Sequence, residues 1–377
     1  MSILEYRLSS AVLRVLGWLF SLLPADPGRV VLATARKPEL DGNLAALLDR
    51  MRRRRPDLRY VPLPEPYSYG LVGKLAYFLR TIRGMYHVRT AGLVVVDNAY
   101  LPIHVAAHGP RTTVVQVWHA TGALKRFGAD TVQPLDEPER TFLHRHYDWV
   151  VTSGEASREP WSRAFRTPLD HVLALGTPRT DVFHQPEAVS ATRARVLAAY
   201  PALAGRRVVL YAPTFRGRGR AKHAAAGLDG ARLRSLLPAS DVLALKTHPN
   251  LDASGIDTAG FDVVIDRITD VNEVLAAADI LVTDYSSSVF EAALLRLRLL
   301  LLVPDLAKYE ADPGLYLDYR TEMIGTRVAD TDAVADAILG DAFDLTPYDA
   351  FIARHLGGCD GNATERFVDR FLPPVAR

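Results

Sequence analysis

"VVQVWHATGALKRFG" (residues 114–128) holds two kinds of chain in fifteen residues. Val114, Val115 and Val117 read as a strand buried on both faces, and the apolar run then breaks into Trp118, His119, Thr121 and Lys125. Polar groups placed directly after a buried strand are the mark of an open α/β sheet, whose ligands gather outside the carboxyl ends of its strands. Working outward, the same pattern recurs at "RVVLAT" (29–34), "GLVVVDN" (92–98), "TTVVQVW" (112–118), "DWVVTSG" (148–154) and "HVLALG" (171–176). A second series follows at "RRVVLYAPT" (206–214), "DVLALKTHP" (241–249), "FDVVID" (261–266), "DILVTDYSS" (279–287) and "LLLLVPD" (299–305). Helix-period segments such as "NLAALLDRM" and "DVNEVLAAA" separate most of them, so the fold class is α/β with two doubly wound domains. The expected boundaries are an N-terminal helix over 1–24, a first domain over 25–185 and a second over 186–377, with "HQPEAVSATRARV" as the linker.

Composition agrees. A chain of 377 residues with 49% apolar content can bury two ordinary cores. The single cysteine, Cys359, excludes an internal disulfide and fits a reducing compartment. No cleaved signal peptide is legible. The net charge of +2 hides an asymmetry: residues 1–95 carry 15 Lys/Arg against 7 Asp/Glu, a basic lobe suited to anionic partners.

Six polar motifs follow directly on strands: "WHAT", "TSGE", "GTPRTD", "APTFRGRGR", "KTHPN" and "TDYSSS". Each has a plain structural reading. His119 alone would be a satisfied histidine, "KTHPN" with His248 a turn, Ser286, Ser287 and Ser288 helix caps, and the "FRGRGR" segment containing Arg216 a solvated loop. Their convergence on the carboxyl ends of strands in both domains argues for function, because a serine-rich helix start and mobile arginines also suit phosphate. Other classes fall away. There is no GxxxxGK[ST], no GxGxxG after the first strand and no GxSxG elbow. "HVAAH" (104–108) lacks the glutamate of zinc hydrolases, and no Asp-x-Asp accompanies the motifs, so neither a metal nor any other cofactor is expected. Without RNA-binding aromatic signatures, "RMRRRRPDLR" (50–59) does not point to nucleic acid. What remains is a transferase acting on a nucleotide diphosphate.

"VWHATGALKRFG", "GTPRTDVF", "YAPTFRGRG", "KTHPN", "VTDYSSSVFE" and "DGNATERF" (360–367) together resemble the CDP-glycerol glycerophosphotransferase family of teichoic acid synthesis, in the family's order, from about residue 70 to 370. The resemblance implies a GT-B-like fold, CDP-glycerol as donor, a lipid-linked glycan or polyol-phosphate acceptor, and release of CMP. It implies His119 as the base that activates the acceptor hydroxyl, with Thr121, Lys125 and Arg179 on the acceptor side. It also implies His248, Arg216 and Ser286–Ser288 around the pyrophosphate and Glu291 on the ribose; Asn272 and Glu273 follow by position. Where many members read "WHGTPLK", this chain has Ala120, Gly122 and Ala123, a departure that bears on substrate choice. CDP-ribitol or a nucleotide sugar as donor, and a non-catalytic membrane-docked partner of the same shape, stand as alternatives; the length favours a primase-like enzyme.

In "LEYRLSSAVLRVLGWLFSLLP", Arg7, Ser10, Arg14, Gly17 and Ser21 are spaced 3, 4, 3 and 4, one narrow polar stripe on an otherwise apolar helix. The apolar stretch Ala11–Leu23 is too short to span a bilayer. With Arg52–Arg55, Lys74, Arg80 and Arg83 nearby, it is expected to lie peripherally on the anionic, cytoplasmic face of the membrane.

Overall fold

A computed structural model describes residues 3–68, 70–135, 140, 143–216, 223–224, 227–247, 257–266, 269–340 and 343–373. The chain divides into two compact units: Met1–Asp181 with His355–Arg377, and Val182–Arg354.

In the first unit, β1 (Asp26–Thr34), β2 (Arg59–Pro64), β3 (Ala91–Val96), β4 (Thr113–Gln116), β5 (Trp149–Val151) and β6 (Val172–Leu173) form one parallel sheet in the order β2-β1-β3-β4-β5-β6. Strand order reverses between β1 and β3, which makes their carboxyl ends the topological switch point. Val30, Leu32, Val95 and Val115 are fully buried on one face of the sheet, and the alternating Val31, Ala33, Val94 and Val114 on the other. Helix α2 (Gly42–Arg54) packs on one face through Leu44, Leu47 and Met51, a spacing of three and four that keeps them on a single stripe.

The second unit holds β7 (Arg207–Tyr211), the two-stranded ribbon β8 (Phe215–Arg216) and β9 (His223–Ala224), then β10 (Asp241–Lys246), β11 (Val263–Ile265), β12 (Ile280–Thr283), β13 (Arg298–Leu302) and β14 (Thr326–Val328). Its parallel sheet runs β11-β10-β7-β12-β13-β14, with the switch point between β7 and β12. Val209, Leu243, Val282 and Leu300 pack with Val334 and Ile338 of the helix Thr331–Leu339.

Three features differ from the sequence reading. Strands β2 and β14 were not expected; both are sheet edges, where the prolines Pro62 and Pro64 of β2 are tolerated and a three-residue strand suffices. Next, the second unit does not extend to residue 377, because His355–Arg377 returns to the first. Gly176 (φ +94°) and Gly358 make this return: a Cβ on Gly176 would stand 1.8 Å from the Gly358 carbonyl oxygen. The Asp181 carboxylate then accepts from the amides of Ala363 (2.9 Å) and Thr364 (2.8 Å), capping the helix Ala363–Phe371, whose Phe367 and Val368 enter the first core.

The third difference concerns α1 (Ile3–Phe20). Ser10 and Gly17, two members of its polar stripe, face inward with Leu13. They pack on α3 (Gly70–Thr90) and α4 (Leu101–Val105), in a cluster of Leu13, Met85, Leu101 and Val105. Small residues allow that close approach: a Cβ on Gly17 would lie 3.0 Å from Met85 Sδ, and Arg89 Nε donates to the Gly17 carbonyl at 2.7 Å. No helix among the described residues is long and apolar enough to cross a membrane.

Candidate active site

The first constellation sits at the carboxyl ends of β1, β3 and β4. Strand β4 ends at Gln116, and two residues later Trp118 adopts φ +48°, the left-handed region that a non-glycine residue enters at a cost of about 1–3 kcal/mol. Neighbours over-determine that conformation. Gln116 Oε1 accepts the Trp118 N–H at 2.9 Å, while Asn43 Nδ2 donates to the Trp118 carbonyl at 2.8 Å. The indole stacks on Phe127, with ring centroids 4.9 Å apart and planes at 13°.

His119 follows, half-buried. Its Nδ1 lies 3.3 Å from the Asp97 carbonyl oxygen. A carbonyl only accepts, so the proton of the neutral ring is on Nδ1 and Nε2 keeps its lone pair. Burial is the main cause that lowers its pKa, to about 3, with the Arg36 charge next; the Asp97 carbonyl opposes and Arg179 adds to the depression. The Asp97 carboxyl is itself raised by burial, although a Thr34 hydrogen bond and Arg36, 3.5 Å away, hold it down. This arrangement presents an unprotonated imidazole nitrogen among positive groups at a switch point.

Arg179, from the "GTPRTD" segment, donates from Nη1 to the His119 carbonyl at 2.7 Å and from Nη2 to Thr121 Oγ1 at 3.2 Å. Thr121 is fully buried, so its hydroxyl steadies Arg179 from inside the loop. Lys125 is half-buried further along the same loop. Behind Trp118, the Tyr147 hydroxyl bridges His104 Nε2 (2.9 Å) and His144 Nδ1 (3.2 Å), and burial depresses both histidines.

The second constellation surrounds the β7/β12 switch point. Just past these strands, the Asp284 carboxylate accepts from Thr214 N–H (2.8 Å) and Thr214 Oγ1 (2.9 Å), tying the two strand ends together. The Asp284 carbonyl accepts from the Tyr319 hydroxyl at 2.6 Å. The helix Ser288–Leu294 starts four residues on. Ser286 Oγ meets Ser288 Oγ at 2.8 Å and accepts the Ser288 N–H at 3.2 Å, so Ser286 supplies the cap, and the Ser287 side chain makes no cap bond. Glu291 is 1% exposed, turned into the unit. Asn272 is half-buried, donating through its backbone and side-chain nitrogens to Asp270 Oδ1. Glu273 faces solvent in an ion pair with Arg195 at 3.1 Å. Arg216 stands in β8 opposite His223, and His248 lies outside the described residues.

Thus the first unit gathers His119, Thr121 and Arg179, and the second gathers Ser286 and Ser288, whereas Glu273 belongs to a surface contact. Thr214 and Asp284 lie within "APTFRGRGR" and "TDYSSS" without being singled out there, and Asn43, Asp97 and Gln116 were passed over. Asp97 stands directly after a strand, the signal used for the six motifs. Asn43 and Gln116 carried none. Among the described residues no cluster of three or more His, Cys, Asp or Glu could hold a metal ion.

Residues 17–372 match the family described as CDP-Glycerol:Poly(glycerophosphate) glycerophosphotransferase. The chain belongs to this family. Members of this glycerophosphotransferase family move a polyol phosphate from a CDP-alcohol in teichoic acid synthesis, and the chain is a transferase of that class. It is 32% identical to the teichoic acid ribitol-phosphate primase of Bacillus spizizenii, over 93% of this chain and 92% of that protein. Identity to the teichoic acid poly(ribitol-phosphate) polymerase of the same organism is 28%, over 94% of this chain but only 58% of the relative. The teichoic acid glycerol-phosphate primase of Bacillus subtilis is 25% identical, over 77% of this chain and 76% of its own length. In fold, the chain is similar to the wall teichoic acid polymerase TagF (TM-score 0.73, 21% identity, 94% and 92% of the two chains covered). It is also similar to UDP-GlcNAc 2-epimerase from Neisseria meningitidis (TM-score 0.54, 13% identity, 91% and 99% covered). Two Rossmann-like domains of GT-B type, the expected fold, are therefore the fold of this chain.

Proposed function

We propose that the protein is a primase-type transferase that moves ribitol phosphate from CDP-ribitol to a hydroxyl of a lipid-linked cell-wall acceptor, releasing CMP. The observation that carries the ribitol reading is the order of resemblance: the ribitol-phosphate primase is matched at 32% over nearly its whole length, the glycerol-phosphate primase at 25% over three quarters of it. The higher identity to the ribitol-phosphate primase, 32% against 28% for the polymerase, supports priming. CDP-glycerol, which the motifs themselves suggest, is the second reading, favoured by the family's description.

In this mechanism the acceptor oxygen attacks the phosphorus that bears the polyol, while His119 Nε2 takes its proton. The P–O bond of the pyrophosphate bridge breaks, and CMP leaves with the bonding pair. A bound anionic substrate group that offsets the Arg36 and Arg179 charges moves the His119 pKa up from about 3, in the direction a general base needs. The nucleotide is assigned to the second unit, around Thr214, Asp284 and the Ser286–Ser288 turn, with Arg216, His248 and Glu291 as further donor-side residues.

We assign the exposed apolar face of α1 and α3 to the cytoplasmic surface of the membrane, where a lipid-linked acceptor resides. Leu4, Leu8, Val15 and Trp18 on α1, and Leu71, Val72, Leu75 and Leu79 on α3, are all at least 58% exposed. A contiguous apolar surface of this kind is uncommon on a protein that meets only water.

The experiment is CMP release from purified protein offered CDP-ribitol, CDP-glycerol and a nucleotide sugar with a lipid-linked acceptor. A preference of at least tenfold for CDP-ribitol is expected. Preference for CDP-glycerol returns the assignment to the second reading, and no CMP from any donor leaves a non-catalytic partner protein.

A further inference from the structure

Asn43 is 2% exposed at the start of α2, yet its side chain does nothing for its own helix. Nδ2 donates to the carbonyls of Trp118 (2.8 Å) and Val117 (3.4 Å), and Oδ1 accepts the backbone N–H of Arg179 at 3.1 Å. These partners lie 75, 74 and 136 positions away in sequence. Gly42 (φ +50°) makes the turn before it, where an added Cβ would meet Arg179 Cδ at 3.6 Å. One carboxamide therefore joins the residue that precedes His119 to the residue whose guanidinium holds the His119 carbonyl. The two halves of the amide are both required: an NH2 towards two carbonyls and an oxygen towards an N–H. Aspartate lacks the donor, and apolar residues lack both.

We infer that Asn43 is a positioning residue for the transfer reaction, fixing where His119 Nε2 stands by clamping Trp118 and Arg179 on either side of it. This rests on the reading of His119 as the base. Without the amide, Trp118 keeps its Gln116 bond and its ring contacts with Phe127, His144 and Phe165 but loses the donor that holds its carbonyl against a strained backbone, and the segment relaxes. A shift of about 1 Å in a catalytic group is enough to cost about a hundredfold in rate.

The test compares Asn43→Ala, isosteric Asn43→Asp, His119→Ala and the double variant His119→Ala/Asn43→Ala in the full-length protein, using CMP release from the preferred CDP-polyol. Thermal melts establish folding, and calorimetry with CMP reads the nucleotide site. Each Asn43 variant is expected to lower kcat roughly 10- to 100-fold, with KM for the donor and CMP affinity unchanged within about twofold. In the double variant the rate should equal that of His119→Ala, because the amide acts through that ring. Should Asn43→Ala fail to fold, Asn43→Asp decides alone. A folded Asn43 variant that keeps kcat within threefold overturns the inference, and so does a loss that multiplies on top of the His119→Ala loss. Near-normal turnover by His119→Ala is a separate result: it removes the base assignment on which the inference stands.

Discussion

His119 gives its Nδ1 hydrogen to the Asp97 carbonyl oxygen 3.3 Å away, and so offers Nε2 as an acceptor in the uncharged state. With burial and Arg36 depressing the pKa to about 3, the ring of the free enzyme is neutral throughout the physiological range. Any acid limb that this ring contributes to kcat/KM therefore lies below about pH 5, under the ordinary histidine value near 6.5. Proton NMR titration of the His119 ring checks this directly, and a value near 6.5 in the free protein overturns the depression by burial and Arg36. His119→Ala should reduce kcat by roughly 10² to 10⁴, the usual span of a general base, with CMP affinity retained.

Acid should destabilise the first unit in a way that follows from its buried histidines. His104 is lowered to about 3 by burial, with His146 and Arg166 adding to it. Between that value and about 6.5 the unfolded chain binds a proton that the folded chain refuses, so stability rises with pH and is lost on acidification. By pH 5 the loss from His104 is about 2 kcal/mol. Melting temperatures measured from pH 7.5 to 5 should fall. The slope should be shallower in His104→Phe, even though that variant starts lower for want of the Tyr147 hydrogen bond. An unchanged slope removes His104 as the cause.

The second unit depends on Asp284, which joins the ends of β7 and β12 through both polar hydrogens of Thr214. Asp284→Ala removes the acceptor of two buried donors, at about 1–3 kcal/mol each. We expect a melting temperature lower by several degrees and CMP binding at least tenfold weaker by calorimetry. Unaltered CMP binding in the folded variant would move the nucleotide away from this switch point.

The legible parts of the fold were those with a local signal. Central strands announced themselves as valine and leucine runs, since both of their faces are buried. β2 did not, because it carries two prolines, and β14 did not, because Thr326-Arg327-Val328 holds a single apolar side chain. Nothing local marked Phe367 and Val368 as belonging to the first sheet; that follows from Gly176 meeting Gly358 and from Asp181 capping the last helix. The same asymmetry governs the site. His119 was visible because it ends a strand. Asn43 was not, because its meaning lies in partners 74 or more positions away. "GTPRTD" proved to be two devices in six residues: Arg179 serves the His119 loop, and Asp181 serves the architecture.

The proposed membrane contact has a test that separates the surface from the fold. Deleting residues 1–24 would strip Leu13 from the cluster that contains Met85 and Leu101, so a loss of binding could reflect damage to the first unit. Substitutions on α3 avoid this, because Leu71 (87% exposed) and Val72 (81% exposed) have little packing to lose. In lipid, each would withdraw apolar area worth roughly 1.5–3 kcal/mol from water, while a glutamate there adds repulsion from anionic headgroups. Leu71→Glu/Val72→Glu should therefore cut co-sedimentation with anionic vesicles at least tenfold, leaving the melting temperature within a few degrees. High salt should weaken wild-type binding only partly, since it screens the arginines and leaves the apolar contact intact. A double variant that still sediments like the wild type would show that α3 does not touch the bilayer. A wild type released completely by salt would show that the apolar face of α1 does not either.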